Sequence, residues 1–141
     1  MSKKVFVVDD DNMYRRMLEQ RLTVAGFEVV GFATGEECLA NSQLPDLVVV
    51  DYYLNSENAD AMNGLATIER LRARLPELPA VVLSGRADLT SSSNTERLSH
   101  LLRSGDRKAL IEAFREGAFF YLMKSNDTNS TIGTVVKGLL G

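Results

Sequence analysis

The chain has 141 residues, of which 45% are hydrophobic and 25% charged, enough to close one hydrophobic core without staples. A formal net charge of -3 argues against a surface built for nucleic acid or for an anionic membrane. The single cysteine, Cys38, excludes an intramolecular disulfide, fits a reducing cytosol and is expected to act as a small helix packer.

Apolar runs of strand length recur at VFVV (5–8), EVVGF (28–32), DLVVV (46–50), AVVL (80–83) and AFFYLM (118–123). They are continuous rather than alternating, as in strands buried on both faces of a parallel sheet. Between the first two, Tyr14, Met17, Leu18, Leu22 and Ala25 recur at helical spacing, and Gly26 stands where a C-terminal cap belongs. Thr34 with Glu37 predicts a capping box ahead of ECLANSQ, with Pro45 as the stop. Leu65, Ile68, Leu71 and Leu75 predict a third helix ended by Pro76, and Leu98, Leu101 and Leu102 a short one followed by Gly105. Ala109, Leu110, Ala113 and Phe114 predict another, opened near Asp106 and closed at Gly117; Ile132, Val135, Val136, Leu139 and Leu140 predict the last. No apolar run approaches the roughly 18 residues of a spanning helix. The MSKK start breaks into acids by Asp9, so neither export nor membrane insertion is expected and the expected location is cytoplasmic.

Such alternation predicts five βα units in a parallel sheet with helices on both faces and right-handed crossovers. In open sheets of this kind, ligands sit outside the carboxyl ends of the strands. There the chain carries Asp9, Asp10 and Asp11 after the first strand, Asp51 after the third, Ser84 after the fourth and Lys124 after the fifth. Two like charges about 4 Å apart repel by about 4 kcal/mol at an effective dielectric near 20, so three consecutive acids at a strand end ask for a cation. Carboxylates suit a hard ion such as Mg²⁺, while Ser and Lys suit phosphoryl oxygens.

In this order, VFVVDD, PDLVVVD, AVVLSG and GAFFYLMK resemble the receiver domain of two-component response regulators over essentially the whole chain. The resemblance implies a flavodoxin-like (βα)5 fold, a doubly wound parallel α/β sheet of strand order 2-1-3-4-5. It makes Asp51 the phospho-acceptor, taking its phosphoryl group from the phosphohistidine of a sensor histidine kinase or a histidine phosphotransfer protein. Asp9, Asp10, Asp51 and the backbone carbonyl of Tyr53 would hold Mg²⁺ or Mn²⁺. Lys124 and Ser84 would meet the phosphoryl oxygens, and Ser84 and Tyr121 would move on activation. The signal would leave through an effector protein or output domain not encoded legibly here, without direct nucleic-acid or membrane contact by this domain.

The chain also departs from the family. The connection from Asp51 to Gly64 is extended at about 55–61 and lacks the customary proline; its Glu57 and Asp60 are expected to be solvated loop charges. The separation of Ser84 from Lys124 is nearly double the usual one, an insertion at about 88–105 that enlarges the connection between the fourth strand and its helix. It precedes the helix that receivers offer to partners and is expected to reshape or cover that face. Ser125 stands where receivers usually have proline, which leaves open whether the Lys124–Ser125 peptide is cis. Residues 1–141 are expected to be one receiver domain, with His100 an ordinary surface histidine and Tyr52 and Tyr53 flanking the site. Two rival readings stand beside this one: a degenerate receiver that binds partners without phosphorylation, and a Mg²⁺-dependent phosphohydrolase of the haloacid dehalogenase type using Asp9 and Asp11 as a D-x-D.

Overall fold

Five apolar segments form the strands β1 (Lys4–Val8), β2 (Glu28–Phe32), β3 (Leu47–Asp51), β4 (Ala80–Ser84) and β5 (Phe120–Met123). The computed structural model describes residues 2–52, 63–84, 93–123 and 126–140. The strands are parallel and lie in the order β2-β1-β3-β4-β5, the flavodoxin-like order. Register follows from pairs such as Val7 with Gly31, Val8 with Val50, Asp51 with Leu83, and Ser84 with Met123. Every residue of β3 is buried, whereas edge strand β2 reaches burial only at Phe32. Phe32 meets Phe6 edge-on at a centroid distance of 5.0 Å, closing the outer end of the core.

Alternation along the strands divides the core between the two faces. On one face Val5, Val7, Leu47, Val49, Val81 and Leu83 join Leu18 and Leu22 of α1 (Asn12–Val24) and Ile132, Val136 and Leu139 of α6 (Asn126–Leu140). On the other, Phe6, Val8, Val48, Val50 and Val82 pack on Cys38 of α2 (Gly35–Ala40) and Ile68 and Leu71 of α3 (Gly64–Arg74). Burial pushes the Cys38 thiol up to about 12, so it packs as a small apolar group and not as a thiolate.

Caps explain where several helices start and stop. Asp11 accepts the Met13 and Tyr14 amides at 3.1 Å to open α1, and Gly26, at φ 104°, supplies the left-handed residue after it. Thr34 accepts the Glu37 amide at 3.1 Å, and Glu37 reaches back to the Ala33 amide at 3.3 Å, a capping box displaced by one residue. Two expectations need correction here. Helix α2 ends at Ala40 and not at Pro45, because Asn41 takes the Gln43 amide at 2.8 Å, a local turn that competes with helical bonding. Met17, placed by its spacing on the apolar stripe of α1, is 40% exposed; Leu18 and Leu22 suffice to bury the inner stripe.

Among its described residues, the connection from β4 to β5 carries two helices, α4 (Ser93–Ser104) and α5 (Arg107–Arg115). Leu98 is fully buried with Leu110, Ala113, Phe114 and Phe120, in the cluster shared with α1 and α6. Asp106 caps α5 through the Ala109 amide at 3.1 Å, and Gly117, at φ 100°, follows its end. Arg107 donates to the Leu139 carbonyl at 2.7 Å, a cation on the last carbonyls of α6. Arg72 of α3 donates to the Leu78 carbonyl at 2.9 Å and the Ala118 carbonyl, tying together the approaches to β4 and β5. Its guanidinium also lies 5.8 Å from the Phe114 ring centre. Burial lowers the Arg72 pKa to about 10, still far above neutrality, so the staple stays charged.

Candidate functional site

Three of the acids meet. Asp9, Asp10 and Asp51 each bring a carboxylate oxygen to within 4.8 Å of the others. Asp9 (1% exposed) and Asp51 (7%) are buried, while Asp10 faces solvent. The backbone does the gathering. β1 and β3 are adjacent and in register, so the residue just past Val8 and the last residue of β3 come together at the carboxyl edge of the sheet.

The fourth acid of the neighbourhood has another task. Asp11 spends its side chain on the first turn of α1, and its amide donates to Asp9 Oδ1 at 2.9 Å. It therefore fixes the corner and stands outside the cluster, a division of labour that the run of three aspartates did not reveal. Asp9 is held further by its own amide, which donates to the Phe32 carbonyl at 3.0 Å, and by Arg15, whose Nη1 donates to the Asp9 carbonyl at 2.7 Å.

Asp51 is fixed from the neighbouring elements. Tyr52, partly buried beside it, donates its amide to the Leu83 carbonyl at 2.8 Å. Gly64 opens α3 so close to Asp51 that an added Cβ would stand 2.4 Å from the Asp51 carbonyl oxygen. The sequence singles out Gly64 only as a loop glycine, whereas its missing side chain is what lets α3 start against the acceptor strand.

Ser84 closes β4 next to β3, paired with Met123 of β5, so the backbone brings the end of β4 to the same sheet edge. Tyr121 lies in β5, paired with Val82. The side-chain positions of Ser84 and Tyr121 lie outside the described residues, as do Tyr53, Glu57, Asp60, Lys124 and Ser125 altogether. His100 is exposed on α4, as expected. A groove of about 480 Å³ between α3 and residues 115–119 is lined by Arg72, Arg115 and Phe119 but by none of the clustered acids.

Among the described residues the donor set is three carboxylates, which fits a hard divalent cation such as Mg²⁺ or Mn²⁺. No described helix is long and apolar enough to cross a membrane.

NtrC, a DNA-binding transcriptional regulator of Salmonella typhimurium, is 30% identical over 137 residues, 96% of this chain and 24% of its own length. The transcriptional regulatory protein PrrA of Mycobacterium bovis is 36% identical over 125 residues, 87% of this chain and 44% of its own length. The chain thus spans about a quarter of the one relative and less than half of the other. Among solved structures, the BeF3-activated DrrB receiver domain matches with a TM-score of 0.69 at 24% identity, covering 99% of this chain and 98% of that one. A CheY-like response regulator receiver domain protein from Methanospirillum hungatei matches at 0.67 and 23%, covering 99% and 94%. These two similarities bear on the fold alone. The family model of the response regulator receiver domain matches residues 5–99, from β1 through the first half of α4, and the chain belongs to the receiver domains of two-component response regulators.

Proposed function

We propose that Asp51 accepts a phosphoryl group from a phosphohistidine on a sensor histidine kinase or a histidine phosphotransfer protein, with Mg²⁺ or Mn²⁺ held by Asp9, Asp10 and Asp51. The observation that carries this reading is the carboxylate cluster itself, two buried acids and one exposed acid within 4.8 Å at the carboxyl edge of the sheet. One Asp51 oxygen forms a bond to phosphorus as the P–N bond to the donor imidazole breaks, and the ring nitrogen takes the electron pair and a proton. Water later cleaves the acyl phosphate, restoring the Asp51 carboxylate and releasing inorganic phosphate. A carboxylate approaches an anionic phosphoryl group only where positive charge offsets the repulsion; the bound cation would supply that charge, completed by the Tyr53 carbonyl among its ligands. Lys124 would pair with the transferred oxygens, and Ser84 would donate its hydroxyl to one of them, drawing its loop inward with Tyr121 following.

The result is a switch and not turnover of an outside substrate. A phosphoryl group adds about -1.5 to -2 charges, whereas moving a two-state domain from 1:99 to 99:1 takes about 5.5 kcal/mol. Two or three charge-assisted hydrogen bonds shift the population partway, and an effector protein or output domain completes it. Residues 1–141 then act as one cytoplasmic receiver unit; the 55–61 extension lies outside the described residues, and the 88–105 insertion alters the partner face. Supporting that role, α4 lies along α5, and Arg97 of α4 approaches Glu116 at 3.9 Å. The domain itself would contact neither nucleic acid nor membrane. Asp11 counts against the phosphohydrolase reading, since its oxygen caps α1 instead of joining Asp9.

Intact mass after incubation with Mg²⁺ and a small acyl-phosphate donor tests the proposal. The expected result is a gain of one phosphoryl group that EDTA prevents. No gain in a folded chain would point to the degenerate receiver, a constitutive binding module.

A further inference from the structure

Asp9 carries the metal reading, yet it sits one residue beyond the last residue of β1, where the ladder alone does not hold its carbonyl. The fixation comes from α1. Arg15 Nη1 donates to the Asp9 carbonyl at 2.7 Å, and Arg15 Nε faces Glu19 Oε1 at 3.6 Å, the two side chains being 17% and 34% exposed. An Arg–Glu pair four residues apart is commonplace on a helix surface and worth little there. This one differs in two respects: the Arg15 side chain as a whole is only 17% exposed, and its other arm is committed to the strand end.

Edge strand β2 supplies the third part. A Cβ built on Gly31 would stand 1.7 Å from Glu19 Oε1, 2.7 Å from its carboxyl carbon and 3.3 Å from Arg15 Cδ. Gly31 pairs with Val7, two residues before Asp9, so the pair passes over β2 beside the corner it supports. The planar fork of arginine suits this double duty, holding a carbonyl with one arm and a carboxylate with another. The corner then closes on itself. Asp9 Oδ1 takes the Asp11 amide, Asp11 caps α1, and the first turns of α1 return Arg15 to the Asp9 carbonyl.

Resting on the metal reading above, we propose that Arg15, Glu19 and Gly31 form a positioning unit for the divalent-cation site: Arg15 fixes Asp9, Glu19 orients Arg15 and keeps its charge from turning into the acid cluster, and the bare backbone of Gly31 makes room for both. Partners that orient a ligand typically change metal affinity by about 10- to 100-fold when lost.

The test is Mg²⁺ affinity of the full chain by calorimetry, with circular dichroism to confirm folding. Arg15→Ala and Gly31→Ala are each expected to weaken Mg²⁺ binding by about tenfold. The double variant is expected to be no weaker than either alone, because both remove one support. Arg15→Lys is expected to fall between wild type and Arg15→Ala, keeping the charge without the fork. Should Gly31→Ala not fold, Glu19→Gln takes its place in the cycle, breaking the pair without adding volume. Wild-type affinity in folded Arg15→Ala, or effects that multiply to about hundredfold in the double variant, would overturn the inference while leaving the metal reading intact. Absence of Mg²⁺ binding in the wild type would overturn both.

Discussion

The β1–α1 corner and the β4–β5 connection border the same sheet but are built on opposite principles. At the corner nearly every group has a polar assignment: Asp9 is bonded through its amide, carbonyl and carboxylate, and Asp11 through its carboxylate and amide. The connection is held chiefly by apolar burial, with Leu98, Leu110, Ala113 and Phe114 inside, and its ion pairs lie on the surface. Directional bonds fix atoms to a fraction of an ångström, which charge chemistry requires, while apolar burial fixes a helix without fixing any one atom. Apolar burial can therefore hold the enlarged connection while directional bonds keep the geometry of the acid corner.

Four substitutions probe that contrast. Leu98→Ala is expected to have the largest effect, about 2–5 kcal/mol of unfolding free energy in urea titrations. A loss within about 0.5 kcal/mol, as for surface changes, would mean that α4 merely rides on the molecule. Gly64→Ala drives a Cβ toward the Asp51 carbonyl and is expected to cost about 1–3 kcal/mol and to slow phosphoryl uptake, so that both stability and mass-detected labelling fall. In Leu98→Ala, by contrast, labelling is expected to persist for as long as the chain stays folded.

Smaller again is Asp11→Ala, which removes the α1 cap for about 1 kcal/mol while labelling still reaches one phosphoryl group per chain. Loss of labelling there would revive the D-x-D phosphohydrolase reading. Arg115→Ala breaks the contacts to Glu77 and Glu112, which raise the Arg115 pKa, Glu77 foremost. Because Arg115 is exposed, its melting temperature is expected to match that of the wild type. A clear drop would show the connection to depend on charge after all.

Much of this division is written in local sequence. Continuous apolar runs announced strands buried on two faces, and Gly26, Asp106 and Gly117 announced helix ends, because those signals act within a few residues. Asp9, Asp10 and Asp51 were legible as a cluster because a parallel sheet delivers strand ends to one edge. The end of α2 was not, since the turn at Asn41 outcompeted the helix before Pro45 was reached. Exposure of Met17 was hidden too, because periodicity marks a face but not how much of it the sheet covers. The Arg15–Glu19 pair and Gly31 were each visible, an i,i+4 charge pair and an isolated glycine in a strand. What joins them is the packing of α1 on β2, which no single stretch of sequence encodes.

On the proposed function, Asp51 carries the phosphoryl group. The most direct measurement is to label the chain with Mg²⁺ and an acyl-phosphate donor, reduce the acyl phosphate with borohydride, and map the modified residue by peptide mass, with Asp51→Asn alongside. Reduction converts a phosphorylated aspartate to homoserine, so homoserine is expected at position 51 in the wild type and no modified peptide in the variant. Homoserine at position 9 or 10, or equal labelling of Asp51→Asn, would contradict it.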